Sequence, residues 1–415
     1  VMIMADNKDK KVLNVPALRF PEFTDEWKEV LFASNLERLE NGANYNTNDK
    51  DGVPMSRIET ISTGRIDYTK VGHCSTPQKI EHYIMRYGDI LFSHINSLKH
   101  IGKTAYYSAE EPLYHGMNLL LFRCKNNVDS KFFFFLINNT HFIRKCQILA
   151  KQAVNQASIS TSDLKKIKVY IPDINEQSKI QKFLSLIEKR IELQNKIIEK
   201  LETLIKGITD VLLDNPLWEK VFLHSFMQFY QSNSLSWEQL SYEDGKIRNL
   251  HYGLIHNFST KGINANSLPM ILSHNEPKQY TLCKVGDVAF ADASEDTNEI
   301  GKAVEFISVH PSGTICGLHT LHGRDIKNKT VVGFKGFAFN SRYFHDQIKR
   351  LAQGSKVFSI TANNLLSCYI YIPNIAKQEM ITKLLHAYEE KIMANKTLLD
   401  KYEMQRTYLL QRMFI

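Results

Sequence analysis

Residues 171–212 read IPDINEQSKIQKFLSLIEKRIELQNKIIEKLETLIKGITDVL, and residues 372–413 read IPNIAKQEMITKLLHAYEEKIMANKTLLDKYEMQRTYLLQRM. The two stretches align without a gap at an offset of 372 − 171 = 201. In the first, apolar residues recur at alternating steps of four and three: Ile180, Leu184, Ile187 and Ile191, then Ile198, Leu201, Ile205, Ile208 and Leu212, with polar Gln194 in the same series. Adding 201 gives Ile381, Leu385, Tyr388, Ile392, Asn395, Leu399, Tyr402, Arg406, Leu409 and Met413. Such spacing, sustained over about four heptads, is the pattern of a coiled-coil seam rather than of a helix lying on a globular core. A polar residue in a seam costs stability and fixes register. Gln194 and Asn395 at equivalent positions therefore predict that the two helices pair with each other, whereas two independent amphipathic helices would leave the coincidence without a cause.

The doubling continues upstream. Trp27-Lys28-Glu29-Val30-Leu31 answers to Trp218-Glu219-Lys220-Val221-Phe222, Tyr87-Gly88-Asp89-Ile90-Leu91-Phe92 to Val285-Gly286-Asp287-Val288-Ala289-Phe290, and Ile101-Gly102-Lys103 to Ile300-Gly301-Lys302. The offset drifts through 218 − 27 = 191, 285 − 87 = 198 and 300 − 101 = 199, so insertions separate equivalent strands. Glycine followed by aspartate and an apolar run reads as a tight turn feeding a buried strand. A helical stretch is expected over residues 131–150 and 340–352, then polar loops over 151–157 and 353–358. A short strand should then run into each Ile-Pro dipeptide, because proline suits a helix start and cannot continue a strand.

These signals give an α+β chain of two repeated globular domains joined by two long helices in an antiparallel coiled coil with pseudo-twofold symmetry. The expected divisions are 1–14 as a loose tail or artificial remnant, 15–171 as the first domain, 172–213 as the first spacer helix, 214–372 as the second domain and 373–415 as the second spacer helix. At 415 residues the chain is too long for one ordinary core, and its 43% hydrophobic content suffices to fold two. Lys plus Arg exceed Asp plus Glu by 52 − 44 = 8. That balance is compatible with a polyanionic partner without demanding one.

Cys74, Cys124, Cys146, Cys283, Cys316 and Cys368 are scattered with no Cys-x-x-Cys pair, which suggests neither a zinc site nor a disulfide framework and points to a reducing cytoplasm. No apolar run is long enough to span a bilayer. Several short matches to catalytic motifs fail on context. Gly102-Lys103-Thr104 resembles the end of a phosphate-binding loop, but Ser97 stands where its first glycine belongs. Asn215-Pro216-Leu217-Trp218 resembles the tetrapeptide of amino-methyltransferases, yet lacks the second proline and any glycine-rich cofactor loop upstream. Cys316, His319 and His322 are spaced for a metal but want a fourth ligand. Pro172-Asp173 and the charges of the following helix read as a solvated face, not as a nuclease centre. The chain is expected to be catalytically silent and metal-free.

The segment Val15-Pro16-Ala17-Leu18-Arg19-Phe20-Pro21-Glu22-Phe23 followed by Trp27, the Gly-Asp-Ile strand, Ile171-Pro172 with Glu176-Gln177 before a long helix, and the terminal Leu409-Leu410-Gln411-Arg412-Met413-Phe414 together resemble the DNA specificity subunit of type I restriction-modification systems. The likeness runs from about Val15 to Phe414. It implies two target recognition domains, each reading one half of a split double-stranded DNA sequence, on an antiparallel spacer. It also implies a non-catalytic subunit that recruits two methyltransferase subunits and the restriction/translocase subunits. S-adenosylmethionine, ATP and Mg would serve those partners, in an adenine-N6 DNA methyltransferase and ATP-dependent endonuclease. The sequence departs from the pattern at Lys377-Gln378, which replaces the Glu-Gln pair. It departs again in the loops Ala153-Val154-Asn155-Gln156 and Gly354-Ser355-Lys356-Val357, where family members carry a Gly-Ser-Thr-Gln run.

A helix pair of roughly 33 residues would be about 50 Å long at 1.5 Å per residue, against about 34 Å for a DNA turn. Two domains on such a rod could reach grooves on one face of a duplex. Candidate DNA contacts, chosen as polar or basic residues in loops flanking the shared strands, are Arg57, Arg65, Lys79, Asn96, Lys99, His100 and Asn155 in the first domain. In the second they are Arg248, Tyr252, His256, Lys261, Asn298, Lys302 and Lys356. Arg and Asn suit base edges and Lys suits phosphate. The competing interpretation is a protein-interaction scaffold with two lobes on a coiled-coil rod that does not bind DNA. Salt separates the two, because phosphate contacts release counterions.

Overall fold

The computed structural model describes residues 3–4, 14–46, 49–75, 80–153, 156–256 and 262–415. The chain divides into two compact units: residues 1–193 with 399–415, and residues 194–398. Both long helices, Ile174–Leu213 and Ile375–Arg412, contribute a segment to each unit.

In the first unit, an antiparallel sheet runs in the order Leu36–Asn41, Leu120–Cys124, Ile90–Phe92, Thr104–Tyr106. Its central strands are buried and lie in one core with the phenylalanine-rich helix Ser130–Ile137. Residues Phe132 to Ile137 are all buried, which explains why the run is apolar all round instead of amphipathic. Lys28–Leu31 pairs with Lys168–Ile171, so the Trp27 segment is clipped to the strand that delivers Pro172. The helix then starts at Ile174. Gln177 holds the junction, donating to the Pro172 carbonyl and accepting from the backbone N–H of Asp129, the N-cap of the phenylalanine helix. Arg19 forks onto Glu176 with two 2.7 Å hydrogen bonds, and Phe20 packs edge-on against Phe183. The Leu18-Arg19-Phe20 motif and the Glu176-Gln177 motif are thus two halves of one contact.

The second unit repeats this order as Met227–Tyr230, Thr320–Asp325, Val288–Ala291, Ala303–Ser308, extended by Ile263–Asn264. It adds a second sheet of Leu240–Ser241, Met270–Ile271, Arg248–Leu250 and Thr314–Cys316. Glu219–Phe222 pairs with Tyr369–Ile372, and Gln378 repeats the junction, donating to the Pro373 carbonyl and accepting from Val331 N–H. The departure at Lys377 follows from the chain order: Trp218 is preceded by the end of a helix, so no counterpart of Arg19 precedes it and no carboxylate is needed.

The glycine-aspartate turns are frames in both units. Gly88 and Gly286 take φ of 91° and 87°, a left-handed conformation that glycine reaches without a Cβ penalty. Asp89 accepts the Arg86 N–H and a two-pronged Arg123 guanidinium at 2.7 Å. Asp287 accepts the Lys284 N–H and Arg324 at 2.7–2.8 Å. Each pair ties a turn to the strand beside it. Burial alone would raise the Asp287 carboxyl, but hydrogen bonds from Arg324, His322 and Lys284 N–H outweigh it and hold the group below the ordinary value.

Each unit contains part of the helix pair. In the first, Ile180, Leu184, Ile187 and Ile191 are buried with Leu409, Leu410, Met413 and Phe414, and Arg406 reaches Glu188 at 3.1 Å. In the second, Ile381 and Leu385 are buried in the core against which Ile205, Ile208 and Leu212 pack, and Lys396 meets Glu202 at 2.7 Å. The beginning of one helix meets the end of the other in both, so the pairing is antiparallel. Between these contacts Ile198 and Leu201 are buried, while Tyr388, Ile392, Leu399 and Tyr402 are half-buried. Gln194 donates to the Asn395 side-chain oxygen at 2.7 Å and to its carbonyl at 3.1 Å, and Asn395 donates to the Lys391 carbonyl.

Three expectations need correction. The helical stretch at 131–150 is two helices, Ser130–Ile137 and Thr140–Leu149, because Asn139 caps the second by accepting from Phe142 N–H. Its counterpart begins earlier than Asn340, as Phe334–Ala338 followed by Arg342–Leu351 under a Ser341 cap. The first polar loop is largely strand, Lys151–Ala153 pairing with Gln156–Ser158 and the latter with Ile95–Asn96, whereas the second stays a loop over 354–357 and only at its end enters the strand Phe358–Ser359, paired with Ala293–Ser294. Short helices Thr161–Lys166 and Ala362–Ser367, capped by Ser160 and Thr361, precede the final strands.

Two consequences are measurable by urea unfolding. Asn395→Leu strands the buried Gln194 amide and Gln194→Leu the half-buried Asn395 side-chain oxygen, and each alone should cost about 1–3 kcal/mol. The double replacement should recover most of that loss, with a coupling of about 0.5–3 kcal/mol; additive losses would deny that the pair acts as a unit. Asp89→Ala leaves the Arg123 guanidinium buried without its partner and should cost about 3–5 kcal/mol.

Candidate nucleic-acid interface

The loop that follows each glycine-aspartate strand is held by the short sheet just described. In the first unit, Asn96 lies on the strand paired with Ala157 and Ser158, its amide donating to Ser93 Oγ and its oxygen accepting from Ser97 N–H. Lys99 and His100 follow in a 3-10 turn, where His100 Nδ1 lies 2.8 Å from Ser97 Oγ and Lys99 is exposed. The topology thus brings Asn96, Lys99 and His100 beside the paired strands Lys151–Ala153 and Gln156–Ser158. Asn155, Lys79 and Lys261 lie outside the described residues. Arg57 is half-buried beside Tyr45, whose hydroxyl burial pushes up while the Arg57 charge pulls it back. Arg65 is exposed.

In the second unit the same frame carries Asn298, Lys302 and Lys356. Lys356 is exposed just before the strand Phe358–Ser359. Asn298 is exposed, bonded to Asp296 and accepting from Lys349 at 2.8 Å. Lys302 and His256 are joined through Glu299, at 3.2 and 2.8 Å. Burial would raise the Glu299 carboxyl, but the His256 hydrogen bond and Lys302 charge bring it below its ordinary value. This trio is internally neutralised, unlike Lys356. Arg248 is half-buried and donates to the Leu268 carbonyl at 2.5 Å, a bond that braces its own sheet. Tyr252 belongs to an aromatic ladder that sequence reading missed: Trp237 to His251 at 4.5 Å, His251 to Tyr252 at 4.7 Å and Tyr252 to His319 at 5.4 Å between ring centres. Trp237 is exposed, and flat rings of this kind are platforms for stacked bases. The signal was present in Trp237 and the His251-Tyr252 pair, but nothing in their spacing joins them to His319.

An open groove of ≈ 810 Å³ lies in the second unit between the helices and the globular part, lined by Asn298, Lys302, Lys349 and Lys396 among others. Five basic and five acidic side chains face it, so it offers a polyanion little net attraction. The motif decoys resolve structurally. Gly102-Lys103-Thr104 leads into the strand Thr104–Tyr106, with Lys103 bonded to the Ser62 carbonyl, where a phosphate loop needs a helix. Asn215 closes a turn, accepting from Leu217 N–H and Trp218 N–H. Among the described residues no helix is long and apolar enough to cross a membrane.

Residues 29–203 match the family described as type I restriction modification DNA specificity domain. Two solved structures share the fold at a TM-score of 0.57. One is a type I restriction-modification system S subunit from M. genitalium, 15% identical with 97% of this chain and 99% of that one covered. The other comes from work on complex assembly and conformational transition of the type I R-M system, 13% identical with 92% and 96% covered. A Methanocaldococcus jannaschii protein, named the MjaX type I restriction enzyme specificity subunit, is 32% identical over 387 residues, covering 89% of this chain and 88% of its own length. At that identity over nearly the whole of both chains, this protein belongs to the family of type I restriction-modification DNA specificity subunits, the non-catalytic, DNA-binding members of those systems.

Proposed function

We propose that this specificity subunit reads a two-part, asymmetric double-stranded DNA target, one part by each unit, and presents it to two methyltransferase subunits and to restriction/translocase subunits. The observation that carries the proposal is the pairing of one repeated frame with two different surfaces. Asp89–Arg123 and Asp287–Arg324 hold equivalent turns. The loops they support carry Asn96, Lys99 and His100 in one unit and Asn298, Lys302 and Lys356 in the other. Direct readout depends on such side chains, so like frames with unlike loops read unlike bases. The 32% identity with the M. jannaschii specificity subunit over most of both chains supports the assignment to a restriction-modification complex.

Within that proposal, Arg57, Arg65, Asn96, Asn155 and Asn298 are the base readers, with Tyr252 stacking and His100 and His256 bonding to bases or sugars, while Arg248 supports the sheet beneath them through the Leu268 carbonyl. Lys79, Lys99, Lys261, Lys302 and Lys356 hold phosphate. S-adenosylmethionine, ATP and Mg serve the partner subunits.

Binding to a cognate duplex at a series of salt concentrations tests these roles. Lys99→Ala and Lys356→Ala should weaken binding evenly across sequences and lower the slope of log K against log salt by about one each. Arg57→Ala should instead cost about 1–3 kcal/mol at a single target position. Affinity that is flat in salt would favour the protein scaffold. Titrating S-adenosylmethionine into the isolated chain should give no heat, since its site is assigned to the partner.

A further inference from the structure

The second unit buries two cysteines and a histidine in one place. Cys283 Sγ and Cys316 Sγ lie 3.6 Å apart, and with a ring nitrogen of His322 all ligand atoms fall within 4.8 Å of one another. All three residues are at most 5% exposed. His322 Nε2 lies 2.7 Å from Asp287 Oδ2, while its Nδ1 is buried with no hydrogen-bond partner. An ionised carboxylate fixes the proton on Nε2 and leaves a lone pair on Nδ1, the tautomer of a histidine that binds metal through Nδ1. An orphaned buried nitrogen otherwise costs the molecule stability.

The repeat supplies an internal comparison. Counted back from the shared aspartate, Cys283 stands where the first unit has Met85, because 287 − 283 = 89 − 85. Counted back from the shared arginine, His322 stands where it has Leu121, because 324 − 322 = 123 − 121. Met85 and Leu121 are buried in one apolar cluster. The frame therefore folds with hydrocarbon at these points, and packing alone does not account for a thiol and an imidazole in their place.

We propose that Cys283, Cys316 and His322 form a structural site for a thiophilic divalent cation of the zinc type, with Asp287 orienting the imidazole. A tetrahedral ion with Zn–S bonds of about 2.3 Å separates two sulfurs by about 3.8 Å, close to the spacing present and far from the ~2.05 Å of a disulfide. Two thiolates cancel the ion's charge and Arg324 balances Asp287, so the buried assembly is neutral. A cysteine binds such an ion as its thiolate, so the thiol proton leaves as the bond to the ion forms. Each ion bound therefore releases two protons, one from each sulfur. A water takes the fourth position. Cys316 ends a strand of the four-stranded sheet and His322 lies within the five-stranded sheet. The ion would pin both sheets to the segment that carries Cys283.

Metal content of the full chain, purified under reducing conditions without chelator, tests the site by plasma mass spectrometry, with cobalt substitution as the spectroscopic probe. One zinc per chain is expected, together with a sulfur-to-cobalt charge-transfer band after exchange. Cys283→Ser and Cys316→Ser should lose both signals, and Cys368→Ser should keep them. Cys283→Met with His322→Leu, which installs the first unit's residues, should fold without metal. Zinc should raise the melting temperature of metal-free wild type and leave that double variant unmoved. Failure of metal-free wild type to take up zinc, retention of zinc by Cys283→Ser, or a native Cys283–Cys316 disulfide seen by mass would each overturn the site.

Discussion

The pairing of the two long helices is the constraint on which the rest of the structure depends, and its most specific contact is the amide pair of Gln194 and Asn395. A seam of isoleucine and leucine gains about 1.5–3 kcal/mol for each side chain fully buried, but such a seam tolerates slippage by a heptad. An amide that must find an amide does not. With Gln194 bonded to Asn395, the apolar seam residues on either side meet their partners, and Arg406 and Lys396 fall opposite Glu188 and Glu202.

The junctions transmit that register into the globular parts. Gln177 and Gln378 each grip the backbone at their own helix start and a backbone N–H of the neighbouring element, so neither helix can turn without moving the core beside it. The turn glycines with their aspartate-arginine forks then position the loops. A protein built this way can vary its loops freely, since stability resides in the frame, and this is what a reader of many different targets requires.

Much of this was legible from residue spacing. The seam, the polar pair within it and the Gly-Asp turns are periodic or positional signals, and each became a visible contact. What escaped was non-local. The helical stretch at 131–150 gave no sign of its break because Asn138-Asn139 interrupts composition less than it interrupts hydrogen bonding. The first polar loop became strand only because Ile95–Asn96 lies alongside it, and propensity carries no information about a partner some 60 residues away. For the same reason Cys316, His319 and His322 read as a metal set wanting a fourth ligand, since Cys283, whose sulfur lies 3.6 Å from that of Cys316, stands 33 positions away in sequence.

The central claim is that one repeated frame presents two independent readers. Purifying the chain with a co-expressed methyltransferase subunit, binding it to a pool of random duplexes and sequencing the retained DNA tests this most directly. The account predicts two short fixed blocks of different sequence separated by a gap of constant length. A single block, or DNA recovered without any fixed sequence, would contradict it.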